Sequence, residues 1–174
     1  MKTDQLKYGR IERERRFFLH EVPPLPFDRK YHVVDRYLVG TRLRLRRMED
    51  SSGTIAYKLA RKLPPHAPGA GIMGNLYLDR AEYELLHALP AGEIRKHLQY
   101  AGTWRIDIFE GPLEGLLLAE AEVETDAELA ALKPPFSFIA EVTEKRFFSG
   151  GSLAACTRQD LLDILKTIQY PKHT

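Results

Sequence analysis

Of 174 residues only one is cysteine, Cys156. No internal disulfide can form, which fits a reducing cytoplasm. Nothing beside Cys156 would activate a thiol, so it reads as a small helix-packing residue. No apolar run approaches the 18 or so residues of a membrane-spanning helix. The opening MKTDQLKYGRIERERRFF has no apolar core of a secretory signal. A cytoplasmic location without a membrane partner is therefore expected. An excess of one charge is missing too: 26 Lys and Arg against 24 Asp and Glu leave a net +2. Dedicated nucleic-acid binders carry a strong basic excess, so no nucleic-acid partner is expected. The six histidines show no metal-ligand spacing. Repeats and linkers are also absent, which suggests one domain over residues 1–174. At this length a fold buries roughly 68–70% of its unfolded surface and needs no metal or disulfide for stability.

What is present is alternation. RIERERRFFL (10–19), YHVVDRYLVG (31–40), TRLRLRR (41–47) and TIAYKLARKL (54–63) read as strands, as do 93–100, 103–109, 116–124 and part of 136–148. PPHAPGAG (64–71) reads as a loop. Asp79 with Glu82, and Thr125 with Glu128, form the spacing of capping boxes and open two helices. A third helix is predicted from about Ser152 to Ile168. Short strands in series predict an α+β fold built on an antiparallel sheet rather than βαβ units.

The charges are segregated by strand. Glu12, Glu14 and Arg16 share one face; so do Arg42, Arg44 and Arg46, then Lys58 and Lys62, then Glu120 and Glu122. Apolar residues fill many intervening positions, among them Ile11, Phe17, Leu43, Leu45 and Val123. One such strand is an ordinary solvated face. Same-face residues lie about 6.6–6.8 Å apart, so four ladders of this kind carry repulsion that a polyanion and divalent cations would relieve. Eight strands closed into a barrel are just wide enough for one small ligand. A wet sheet face and a charged cavity both remain open on this pattern alone.

The ordered motifs carry a resemblance. Glu12-Arg13-Glu14-Arg15-Arg16-Phe17 is similar to the ExExK opening of the CYTH superfamily, the triphosphate tunnel metalloenzymes. Asp35-Arg36-Tyr37-Leu38, RLRLRR, YKLARK, WRIDIF (104–109), LEGLLLAEAEVE (113–124) and EVTEKRFFSGGSLA (141–154) follow in order. The resemblance spans roughly residues 8–155. It implies an eight-stranded antiparallel tunnel with helices packed outside, and Mg²⁺- or Mn²⁺-assisted hydrolysis of a small-molecule triphosphate. It also implies that Glu12, Glu14, Asp107, Glu120 and Glu122 hold metal. Arg16, Arg42, Arg44, Arg46, Lys58, Lys62 and Lys96 would bind phosphate. Tyr37 and Lys58 resemble an acid/base pair of some relatives, which adds them to Glu12, Glu14 and Glu122 as catalytic candidates. Two positions depart from the pattern: Arg16 replaces the motif lysine, and Leu98 stands where a second basic residue would follow Lys96. Inorganic tripolyphosphate is the leading substrate. The alternatives are a nucleoside or thiamine triphosphatase, a class IV-type adenylate cyclase, or a non-catalytic polyphosphate-binding module, acting as a monomer or homodimer.

Overall fold

The computed structural model describes residues 9–67 and 70–169. Among the described residues nine strands form: β1 (Arg10–Phe18), β2 (Arg29–Leu38), β3 (Leu43–Asp50), β4 (Ile55–Ala67), β5 (Ala70–Leu78), β6 (Ala91–Ala101), β7 (Trp104–Phe109), β8 (Leu117–Val123) and β9 (Ala140–Glu141). Their neighbour order is β5-β4-β3-β2-β6-β7-β8-β1, and β1 pairs back onto β5. The first eight therefore close into an antiparallel barrel, and β9 adds two residues beside Phe17 and Phe18. Closure leaves no long free edge.

Local chemistry sets the corners. The Asp50 carboxylate accepts hydrogen bonds from the Ser52 and Thr54 amides at 2.8 and 3.0 Å, and Gly53 takes φ +85°. That Asx-type turn joins β3 to β4. Gly102, at φ +57°, makes the tight β6–β7 turn, where the left-handed conformation favours glycine. Both expected capping boxes form. Asp79 opens α1 (Arg80–His87) and Thr125 opens α2 (Asp126–Ala131). Helix α1 lies against the outer wall, where Tyr83 meets Tyr57 with ring centroids 4.4 Å apart.

Three sequence expectations change. Residues 64–71 are largely strand: β4 continues to Ala67 through a break in register, and β5 follows. Pro68 and Gly69 lie outside the described residues. The eighth barrel strand is thus β5, and not the stretch within 136–148, of which only β9 pairs. Beside β1 that stretch finds only Phe17 and Phe18 open, because Arg10–Arg13 are taken by β5. The chain then turns through a 3₁₀ segment, Arg146–Phe148, that seats Phe148 in the core. The last helix is two: α3 (Gly150–Leu153) and α4 (Arg158–Gln169). Thr157 and Asp160 cap each other reciprocally, with the Thr157 amide donating to the Asp160 carboxylate at 2.9 Å. That is a fresh helix start in mid-segment.

Apolar packing occupies the outside of the barrel and its two ends. Phe17, Trp104, Ile106 and Ala119 form one outer cluster, covered by Leu25, Phe27, Leu132 and Phe136. Trp104 is therefore exterior packing, at 4.9 Å from the Phe136 ring centroid. Val33, Met48 and Leu98 fill the barrel toward the β6–β7 turn. Phe18, Ile94, Phe109, Leu118, Phe148 and Leu153 gather toward the opposite end, under α3 and α4. Between them the barrel core is charged. Among the described residues no helix is long and apolar enough to cross a membrane.

Candidate functional site

Strand alternation puts every second side chain inside. Glu12, Glu14 and Arg16 point inward from β1, Tyr37 from β2, Arg44 and Arg46 from β3, Lys62 from β4, Lys96 from β6, Arg105 and Asp107 from β7, and Glu120 and Glu122 from β8. All of these line one cavity of about 160 Å³. The register explains their meeting: Glu14 sits opposite Glu122, Arg16 opposite Glu120, Arg105 opposite Glu120, and Asp35 opposite Arg46.

The buried charges are joined in a chain of ion pairs. Arg46 donates through Nε and Nη2 to the two oxygens of Asp35, both at 2.6 Å. Lys96 lies 4.0 Å from Asp35 and donates to Asp107 at 2.5 Å. Arg105 donates to Asp107 at 2.8 Å and also pairs with Glu120. Arg16 reaches Glu120 at 2.5 Å, Glu14 at 2.9 Å and the Phe148 carbonyl at 2.9 Å. Toward the rim, Lys62 approaches Glu12 at 3.4 Å and Arg10 approaches Glu122 at 3.6 Å.

Protonation follows from these neighbours. Burial works to raise the Asp35 carboxyl, but Arg46, Arg44 and Lys96 overcome it and hold it well below the carboxylate range. Burial likewise opposes ionisation of Asp107, and Arg105 and Lys96 pull it down. The Lys96 ammonium is pushed down to about 8, chiefly by burial and further by Arg105 and Arg46, against the attraction of Asp107 and Asp35. Burial raises the Tyr37 hydroxyl, as does the Asp35 charge, so it stays a protonated donor. The Glu122 carboxyl is raised, first by partial burial and then by the charges of Glu12 and Glu14, with Arg10 opposing.

Among the described residues that line the cavity, Arg44 is the guanidinium without a hydrogen-bonded carboxylate. The Arg44 side chain is only 12% exposed, yet its Nε finds no hydrogen-bond partner among the described residues. Its nearest carboxylate oxygen, on Asp35, is 3.7 Å away, and Nη2 has only the Met73 sulfur at 3.8 Å. A buried donor left unsatisfied costs about 1–3 kcal/mol, more when charged. An anion in the cavity would remove that cost.

The predicted residues separate into groups. Glu12, Glu14, Arg16, Arg44, Arg46, Lys62, Lys96, Asp107, Glu120 and Glu122 all meet around the cavity, and Tyr37 joins them. Arg42 is exposed and stands outside the cavity, beside the barrel mouth. Lys58 shares the inward face but lies beside Tyr77, its ammonium 4.7 Å from that ring centroid, and does not line the cavity. Its register partner is Arg46, whereas that of Tyr37 is Arg44. Two participants had no assigned role: Asp35, the lone acid on the inward parity of β2, and Arg105, two residues before Asp107 and so on its face. Parity alone could have found both. Leu98, fully buried beside Val33, is packing.

The suitability of the carboxylates for a divalent cation divides along the same line. Asp107 and Glu120 are each occupied by two protein cations. Glu12, Glu14 and Glu122 offer oxygen donors whose mutual repulsion a hard cation would relieve, which fits Mg²⁺ or Mn²⁺. Among the described residues no three His, Cys, Asp or Glu side chains form a ready-made cage. Mg²⁺ does not require one, since it is usually held by one or two carboxylates together with substrate phosphates.

The barrel has known counterparts in structure. It superposes on the inorganic triphosphatase NE1496 with a TM-score of 0.58 and 22% identity, covering 83% of this chain and 95% of that one. A second structure of NE1496, described as a hypothetical protein, gives 0.59 and 23%, covering 84% and 99%. The PH1819 protein from Pyrococcus horikoshii OT3 gives 0.52 and 18%, covering 69% and 82%. No protein-family model matches the chain, and no curated protein matches it by sequence. At these identities the likeness establishes a shared fold, an eight-stranded antiparallel barrel with helices outside.

Proposed function

We propose that this chain is a metal-dependent triphosphatase that hydrolyses a terminal phosphoanhydride inside the barrel, with inorganic tripolyphosphate the simplest substrate its charges specify. The observation that carries the reading is Arg44, a nearly buried guanidinium with no hydrogen-bonded carboxylate and only Asp35 at 3.7 Å, facing a cavity it shares with Lys62 and Lys96. The fold shared with an inorganic triphosphatase supports it.

Phosphoryl transfer asks a protein mainly for positioning and charge stabilisation. Arg44 and Lys62 would bind the phosphates, and Tyr37, protonated, would donate to a phosphate oxygen. Arg46 is committed to Asp35 and fixes the wall from which Arg44 projects. Glu12, Glu14 and Glu122 would hold Mg²⁺ or Mn²⁺. Such a cation would supply Lewis-acid charge for the phosphates and for activation of a water. Asp107 and Glu120 would act on the site through Arg105 and Arg16 rather than as ligands.

Binding without turnover is the second reading, favoured by the matching of Asp107 and Glu120 to protein cations. One assay separates the two: phosphate release from tripolyphosphate with Mg²⁺, Mn²⁺ or chelator. Metal-dependent release that Glu122→Gln abolishes is expected. Full activity in Glu122→Gln would refute the assignment, and tight binding without release would favour the module.

A further inference from the structure

The outer wall of the barrel carries a second group of convergent polar side chains, none of which lines the inner cavity. His32 on β2 stands directly opposite His97 on β6, and the two ring centroids are 5.1 Å apart. His97 in turn pairs with Ile108 of β7, and Glu110, two residues on, keeps the same outward parity. Its carboxylate reaches both rings: Oε1 lies 2.6 Å from His97 Nε2, and Oε2 lies 3.3 Å from His32 Nε2. The backbone there is held in place. The Glu110 amide donates to the Arg95 carbonyl at 3.0 Å, and a 3₁₀ turn containing Pro112 follows at once.

Other carboxylates of the outer wall are matched by arginine: Glu49 by Arg47, Glu93 by Arg36 and Arg95, and Glu141 by Arg15. Among the described residues Glu110 has no Lys or Arg within ion-pair distance, only the two imidazoles. All three side chains are partly exposed, so a solvated ion can reach them. A tetrahedral zinc holds nitrogen and oxygen ligands about 2.0–2.2 Å away, and hence roughly 3.3 Å from one another. The His32–Glu110 separation meets that spacing. The His97–Glu110 hydrogen bond is shorter, so the three do not stand as a ready-made cage. A small rotation of two partly exposed side chains parts them. In a neutral ring that hydrogen bond places the proton on Nε2; a cation takes the Nε2 lone pair, and the proton then stands on Nδ1.

From this geometry we infer that His32, His97 and Glu110 bind one divalent transition-metal ion on the outer wall, with water completing its shell. Two imidazole nitrogens and one carboxylate suit Zn²⁺, Ni²⁺ or Cu²⁺ and do not suit Mg²⁺, which takes oxygen ligands. The site differs in place and in chemistry from the carboxylates of Glu12, Glu14 and Glu122. Its existence does not depend on what the barrel cavity hydrolyses. The ion ties β2 and β6 to the chain that follows β7, so its binding favours the folded state.

The test is calorimetric titration of the whole chain with Zn²⁺ in a large excess of Mg²⁺, which occupies hard oxygen sites, alongside thermal melts in Zn²⁺ or EDTA. One equivalent of Zn²⁺ should bind and raise the melting temperature in proportion to its logarithmic concentration. His32→Asn and His97→Asn should each weaken zinc by roughly 100-fold, at least what loss of an outer-shell partner costs, and Glu110→Gln by roughly tenfold. Melts in EDTA verify that the variants fold. Cu²⁺ added below one equivalent to the unaltered chain needs no variant: it should broaden the ring signals of His32 and His97 before those of the other histidines. Absence of zinc binding in Mg²⁺, zinc binding that both histidine variants retain, or broadening that falls first on other histidines overturns the inference.

Discussion

Arg44 and Arg46 differ by two positions in an alternating strand, and the structure gives them opposite duties. The consequence is measurable with Arg44→Met and Arg46→Met. Removing Arg46 leaves Asp35, only 1% exposed, without its bidentate partner. Breaking a buried pair from one side costs about 3–5 kcal/mol. Arg44 at 3.7 Å and Lys96 at 4.0 Å still face Asp35, so the loss should fall at the low end, about 3 kcal/mol. Removing Arg44 takes away a group whose Nε was already unsatisfied, and stability should change by less than about 1 kcal/mol. Binding should show the reverse order. A hydrogen bond to a charged group contributes about 1.5–3 kcal/mol, so Arg44→Met should weaken tripolyphosphate by roughly 10- to 100-fold. Urea unfolding with a constant m-value reads the first quantity, and calorimetric titration in conditions where both variants are folded reads the second. If Arg46→Met costs the greater share of affinity, or if Arg44→Met unfolds as easily, the division of duties drawn from Asp35 is wrong.

Two further outcomes follow from the same geometry. Gly150→Ala should lose about 1–3 kcal/mol through overpacking against the Tyr37 hydroxyl and ring; Tyr37→Phe in the same chain, which keeps a ring carbon 2.6 Å from that Cβ, should restore only part of the melting temperature, and no recovery at all would clear the hydroxyl of responsibility. Lys96, with its pKa pushed down to about 8, should give kcat/KM for a triphosphate an alkaline limb near that value. Lys96→Arg should remove it, because guanidinium keeps its charge. Stability moves the other way. The unfolded chain binds more protons than the folded one between about 8 and the ordinary lysine value of about 10.4, so stability rises with pH across that window. A limb that persists in Lys96→Arg assigns it to another group.

How far the sequence could be read turns on which interactions are periodic. Inward and outward faces are a property of one strand at a time, so the positions of Glu12, Glu14, Arg44, Lys62, Glu120 and Glu122 could be inferred from alternation. The capping boxes at Asp79 and Thr125 are local for the same reason. The strand β5 was hidden because the prolines and glycines around residues 64–71 describe a break, whereas barrel closure against β1 supplies an extended partner that no local window contains. The pairing of charges was hidden more deeply. Alternation says that Asp107 and Glu120 face inward, but only cross-strand register puts Arg105 between them and Arg16 beside Glu120. That register is what removes two of the five carboxylates from the set available to a cation and leaves Glu12, Glu14 and Glu122 near the rim. The same register leaves Arg44 without a hydrogen-bonded acid, since Arg46 takes both oxygens of Asp35. The proposed anion site thus rests on the cation that the protein's own carboxylates leave without a hydrogen bond, and a clustering of like charges in sequence identifies the strand that carries it but not the residue.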